Sequence, residues 1–112
     1  MSRPQRCRRI CAMPAYTRFS SVGASGDVIR LALDEYESIR LMDLVGCTHE
    51  QCAGIMQISR TTVTEIYASA RHKLAQALVY GRALEIDGGQ VRVCDRSDPC
   101  LLVKCDASVR DR

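Results

Sequence analysis

The sequence predicts a mainly helical α+β domain: a three-helix core flanked by a small antiparallel sheet that includes a β-hairpin. Three observations predict it. N-capping signals recur at Asp34, Thr48 and Ser59, each opening a stretch with apolar residues at helical spacing. Gly46 and Gly81 fall where the first and third of these stretches end, and a left-handed closing residue suits glycine. On either side of Asp87-Gly88-Gly89, Leu84 and Ile86, then Val91 and Val93, alternate with polar residues as in a hairpin.

Taken in order, residues 1–33 read as a basic N-terminal arm with short strands. Arg9-Ile10-Cys11 is a strand stopped by Pro14, Ser20 to Gly26 is a loop by composition, and Val28 to Leu31 is a β-prone run. Residues 34–81 form the helical core. Asp34 is the expected first N-cap, with Glu37 three residues on, and Tyr36, Ile39, Leu41, Leu44 and Val45 make an apolar face. Thr48 with Gln51 is a second capping box, opening a short helix to about Met56. Ser59 caps the longest helix, which runs to Val79 or Tyr80 with Val63, Ile66, Tyr67, Ala70, Leu74, Ala77 and Leu78 on one face. Residues 82–94 are the hairpin, able to act as a wing, and residues 95–112 read as a weakly ordered tail.

Composition narrows the class. A chain of 112 residues with 46% hydrophobic content has room for one compact domain. It holds no apolar run of membrane-spanning length, and arginines break up its start where a signal peptide would be apolar, so a cytoplasmic setting is expected. Net charge is only +3, but Arg3, Arg6, Arg8, Arg9 and Arg18 all precede the first acidic residue, Asp27. Such an arm gains binding free energy on a polyanion by releasing condensed counterions.

A short helix, a tight turn and a long helix suggest a helix-turn-helix over residues 49–68. Counted from His49, the fifth position is Ala53, small enough for two helices to approach, and the tenth and fifteenth are the buried-type Ile58 and Val63. The ninth position, where the chain turns through a left-handed conformation, is Gln57 instead of glycine, at about 1 kcal/mol. With Val63, Ile66 and Tyr67 inward, Arg60, Thr61, Thr64 and Glu65 face outward beside the cap residues Ser59 and Thr62. Arg60 suits a guanine edge or a phosphate, the threonine hydroxyls suit either, and Glu65 can accept from cytosine N4. Arg71 and Lys73, further along, and Arg8 and Arg9 of the arm, suit phosphates. Double-stranded DNA is the expected partner, bound by a homodimer because one such unit presents few base contacts.

These residues resemble a family of small, largely uncharacterised prokaryotic proteins described as predicted DNA-binding proteins, whose helix-turn-helix looks like the fourth conserved region of bacterial sigma factors. The resemblance rests on Arg8-Arg9-Ile10-Cys11-Ala12-Met13-Pro14, on Leu33-Asp34-Glu35-Tyr36-Glu37-Ser38-Ile39-Arg40-Leu41, and on Gln51-Cys52-Ala53. Ser59-Arg60-Thr61-Thr62-Val63 and Ala83-Leu84-Glu85-Ile86-Asp87-Gly88-Gly89 complete it. It implies a DNA-binding fold and brings no target and no catalytic residue. The sequence departs from it at Gln57, at Ala12 where members often have a second adjacent cysteine, and in a tail whose cysteines are spread out.

Seven cysteines without an export signal argue against a disulfide framework. Cys47 and Cys52 read as small core residues. Cys7, Cys11, Cys94, Cys100 and Cys105 are the set from which zinc or an iron–sulfur cluster would draw ligands, although no C-x-x-C pair is present. That set supports an alternative, a metal- or redox-responsive regulator. A module binding the transcription machinery without touching DNA is another. Glu35, Glu37 and Asp43 read as the water-facing side of a capped helix, and no nucleophile, base and orienting group assemble, so no enzyme is expected.

Overall fold

The computed structural model describes residues 8–94; Arg3, Arg6, Cys7, Cys100, Cys105 and the expected tail lie outside the described residues. Three short strands, β1 (Arg8–Ile10), β2 (Arg18–Phe19) and β3 (Ile29–Leu31), precede the helices. α1 (Leu33–Ile39), α2 (His49–Met56) and α3 (Arg60–Tyr80) follow, then β4 (Leu84–Ile86) and β5 (Val91–Val93). None of the helices among the described residues is long and apolar enough to cross a membrane.

The expected β4–β5 hairpin does not form. β4 is the middle strand of a three-stranded sheet, antiparallel to β2 and parallel to β3. β5 instead runs parallel to β1 in a second sheet, with Arg8 opposite Val91 and Ile10 opposite Val93. The expected antiparallel sheet is thus replaced by two small sheets in which β2–β4 alone pair antiparallel among the described strands. Both edges of β4 are therefore occupied, and β5 has nothing to pair with there. The Asp87–Gln90 connection also leads away from β4. Gly88 and Gly89 take φ of 88° and 97°, and the Gly88 carbonyl accepts the Leu33 N–H at 2.9 Å, tying the turn to the start of α1. A wing built from that hairpin is excluded with it.

α1 begins earlier than the capping pattern suggests. Ala32 continues straight from β3 in an extended conformation (ψ 158°) and serves as N-cap, with Glu35 Oε1 accepting its N–H at 2.8 Å. The role assigned to Asp34 and Glu37 thus passes to Ala32 and Glu35. Past Ile39 the helix widens into an i→i+5 turn over Arg40–Val45, closed by Gly46 at φ 93° with its N–H on the Leu41 carbonyl. In this wider turn Leu41 is fully buried while Leu44 is exposed, which breaks the apolar face read from the sequence.

Two apolar clusters hold the elements together. Leu41, Cys47, Cys52, Ala53, Ile55, Met56 and Val63 join α2 to α3 and to the end of α1. Ile10, Leu31, Leu33, Ala70, Leu84 and Ile86 seat α3 on the sheets. Each fully buried side chain of this kind stabilises by about 1.5–3 kcal/mol. Cys47 and Cys52 are core residues as expected, and burial, with Cys47 and Glu37 adding to it, pushes the Cys52 thiol up to about 12.

Glu35 and Glu37, expected to face water, are both buried. Glu37 pairs with Arg40 through 2.7 and 2.8 Å contacts and accepts the Cys11 N–H at 3.0 Å. Glu35 accepts from Lys73 Nζ at 2.8 Å and from the Ser69 hydroxyl at 2.5 Å. Burial alone would raise the Glu35 carboxyl, but these donors and the Ala32 N–H outweigh it and hold it below the usual carboxylate range. A carboxyl depressed in the folded state contributes stability above its unfolded value, near pH 4.3, and that stability is lost as pH falls through the folded value. Glu35→Gln should therefore be roughly 1–3 kcal/mol less stable than wild type at neutral pH. The gap should close on acidification below about pH 4, which chemical denaturation across that range reads directly. A gap independent of pH would contradict it.

Candidate nucleic-acid interface

Capping and one unusual backbone position build the surface. The Thr48 hydroxyl accepts the Gln51 N–H at 3.1 Å while Gln51 Oε1 accepts the Thr48 N–H at 2.9 Å, so α2 starts where its box was read. α2 ends at Gln57, which has φ 60° and ψ 47°. It is the one non-glycine at positive φ among the described residues. The cost of about 1 kcal/mol is borne by local contacts: Ile58 N–H reaches the Ala53 carbonyl at 3.1 Å, and the Arg92 guanidinium of β5 donates to Gln57 Oε1. Ser59 then accepts the Thr62 N–H at 3.1 Å and α3 runs to Gly81, which closes it at φ 67°. Val63 is completely buried against α2, where Ala53 leaves room for it.

The outward residues of α3 are where the helical period put them. Arg60, Thr61, Thr64 and Glu65 are all exposed, and Ala68 continues the same face. The Thr64 hydroxyl donates to the Arg60 carbonyl at 3.1 Å, which leaves its oxygen able to accept. Thr62 is half-buried, and its hydroxyl pairs with that of Ser59 at 2.8 Å, so both act mainly in the cap. Among the described residues no carboxylate lies within ion-pairing distance of Arg60. Below the turn an open groove of about 780 Å³ is lined by Arg8, Ala53, Gly54, Gln57, Ile58, Ser59 and Thr62.

The other expected cations are differently placed. Arg9 is fully buried, with Nη2 donating to Cys94 Sγ at 3.3 Å, so it is an interior group of the β1–β5 sheet and not part of an arm. Arg8 is largely covered and lies 3.5 Å from Asp34. Lys73 points inward to Glu35 and to the Arg30 carbonyl at 3.0 Å. Charge alone gave these positions an outward reading; partners on the β1–β5 sheet and α1 draw them inward instead. Arg71 is on the surface, 3.9 Å from Asp43 and stacked 5.3 Å from the Tyr67 ring centre.

Tyr67, expected in the core, is half-exposed and joins a cluster the sequence does not reveal. Its hydroxyl donates to Asp43 at 2.6 Å, and His49 at the start of α2 meets its ring edge-on at 5.9 Å. The hydrogen bond to Asp43 holds the Tyr67 hydroxyl above its ordinary value; burial and the carboxylate charge act the same way, and Arg71 opposes them. The available signal was the hydroxyl itself, since a tyrosine on an otherwise apolar face needs a polar partner for its tip.

For metal chemistry, the β1–β5 pairing brings Cys11 and Cys94 to the same strand ends, with the Cys94 N–H on the Ile10 carbonyl at 2.8 Å. Cys11 is disulfide-bonded, against the expectation that the cysteines stay unbridged. No group of three or more histidine, cysteine or acidic side chains suited to a metal occurs among the described residues.

Comparison with known proteins places the chain. The family model described as "Protein of unknown function DUF134" matches residues 1–94. A UPF0251 protein of Desulfitobacterium hafniense (strain DSM 10664 / DCB-2) is 47% identical over 98 residues, spanning 85% of this chain and 78% of that protein. A UPF0251 protein of Thermoanaerobacter pseudethanolicus is 44% identical over 98 residues, spanning 85% and 83% respectively. One from Caldicellulosiruptor saccharolyticus is 46% identical over 89 residues, spanning 80% and 64%. No solved structure matches the chain.

Proposed function

The chain belongs to the DUF134 family of proteins of unknown function, and from the exposed face of α3 we propose that it is a sequence-specific DNA-binding protein and transcription regulator. In this reading α2, the Gln57 turn and α3 are a helix-turn-helix like that of the fourth conserved region of bacterial sigma factors. α3 lies in the major groove and α2 crosses the phosphate backbone. A protein with this task works in the cytoplasm, where the chromosome is.

The observation that carries the reading is the grouping of Arg60, Thr61, Thr64 and Glu65, all exposed, on the first turns of a helix that leaves a tight left-handed turn. Arg60 forks onto guanine or a phosphate, Glu65 selects cytosine by accepting from N4, and the threonine oxygens serve either base edges or backbone. Arg71, over Tyr67 and beside the N-terminal end of α2, is the supporting phosphate contact. Arg9 and Lys73 drop out of the contact set, and Arg8 holds the groove wall.

The test is selection of bound sequences from random double-stranded DNA at two salt concentrations. The expected result is an enriched motif, with affinity falling steeply as salt rises. An absence of binding even at low salt would sink the proposal and leave a module that engages the transcription machinery through protein contacts.

A further inference from the structure

The exposed surface of α3 changes character along its length. Its early turns present Arg60, Thr61, Thr64, Glu65, Arg71 and His72. Its last turn presents Leu78, Val79 and Tyr80, which are 84%, 73% and 66% exposed. No basic residue occupies that turn, although a helix ending in water favours cations there against the negative end of its dipole. The segment that carries Phe19 and Val22 meets the helix end at Gly81. The Ser21 hydroxyl between them donates to the Gly81 carbonyl at 3.2 Å. Phe19 sits directly opposite Leu84, so the two share the sheet face that packs beneath Ala70, Leu74 and Ala77 of α3.

We infer that a second copy of this chain docks on this apolar end of α3, through Leu78, Val79, Tyr80, Phe19 and Val22. These side chains expose on the order of 600 Å² together, at the top of the range for a monomer's largest apolar patch. That approaches the ~800 Å² each partner contributes to a stable complex. The patch holds no charge, so it offers nothing to a charged partner, whereas a two-fold axis through it buries the same apolar surface on both copies. Arg82, whose guanidinium lies 6.0 Å from the Tyr80 ring centre, supplies a polar rim.

The docking is independent of DNA binding, but its consequence for spacing rests on the DNA-binding reading. From Val63 to Val79 is sixteen residues, about 24 Å of helix. Two copies meeting near Val79 place their recognition ends no more than about 48 Å apart, a reach that covers the roughly 34 Å between successive major grooves on one side of DNA.

Sedimentation of the full chain over a wide concentration range tests the inference. Wild type is expected at twice the monomer mass. Leu78→Lys with Val79→Lys, and separately Phe19→Thr, should weaken association at least about tenfold, with helical circular dichroism retained. Ala75→Lys, on the exposed face one turn earlier, should leave association unchanged. A wild-type chain that stays monomeric, or a folded variant of either apolar site that associates as wild type does, overturns the inference. A monomeric wild type whose melting temperature falls in the Leu78/Val79 variant assigns the face to a segment of the same chain and overturns it equally. Binding to a single half-site is measured alongside: a dimer that ignores DNA sinks the functional proposal alone, and a monomer that binds it sinks this inference alone.

Discussion

Glu37→Ala should destabilise the protein by about 3–5 kcal/mol, because it leaves a buried cation without its partner. Glu37 is fully buried and satisfies Arg40 through two contacts of 2.7 and 2.8 Å, and it also accepts the Cys11 N–H. Burial works against the charge of Arg40, but the Glu37 carboxylate outweighs it and holds the guanidinium above its ordinary value. Removing the carboxylate leaves that cation buried and uncompensated beside Cys47. Small domains are stable by about 5–15 kcal/mol in total, so the variant should lose a large share of that margin. At roughly 4–8 °C per kcal/mol, its melting temperature should fall by about 12 °C or more. Glu37→Met combined with Arg40→Met removes both charges and should recover most of the loss. A single variant within about 1 kcal/mol of wild type would show that the pair is not structural.

Arg60→Ala should lower affinity for the selected DNA motif by about 10–100-fold while leaving binding to random DNA nearly unchanged. In the proposed DNA-binding reading, the asymmetry follows if Arg60 makes a bidentate contact with a base edge, which non-specific sites do not offer. The fold should not suffer, because Arg60 is exposed and alanine favours the helix. Glu65→Ala should instead broaden the selected motif, since a carboxylate both accepts from cytosine and repels misplaced phosphates. Repeating the selection with each variant reads both effects. An identical motif from wild type and both variants would rule out α3 as the recognition element.

What was legible in the sequence was local. Thr48 with Gln51, Ser59, Gly46 and Gly81 bond to backbone within a few residues, so their types and spacing fix the ends of α2 and α3 and the close of α1 without knowledge of the rest. The left-handed turn at Gln57 was legible from its position between two helices, despite its residue type. The exposed face of α3 followed from the helical period over its first turns, but the period failed at Leu78, read on the apolar face and 84% exposed because the sheets no longer cover the helix there. What escaped was set at long range. β4 alternates as a hairpin strand does, yet its partners come from residues 18–19 and 29–31, and nothing in its own sequence names them. Arg9, Glu37 and Lys73 carry charge, which reads as surface until a buried partner is known. Asp34 lost the N-cap because β3 delivers an extended residue at Ala32, two positions upstream.

The pairing of β1 with β5 joins Arg8 to Val91, nearly the whole span of the described chain. Closing so long a loop costs more chain entropy than docking α2 on α3, which are separated by a few residues. Neither sheet can assemble until the stretch from Leu84 to Val93 has left the ribosome, whereas α2, its turn and α3 need little beyond residues 41–80. During synthesis the helices are thus free to pack first, and the strands act as a late clasp that fixes Arg92 onto the finished turn.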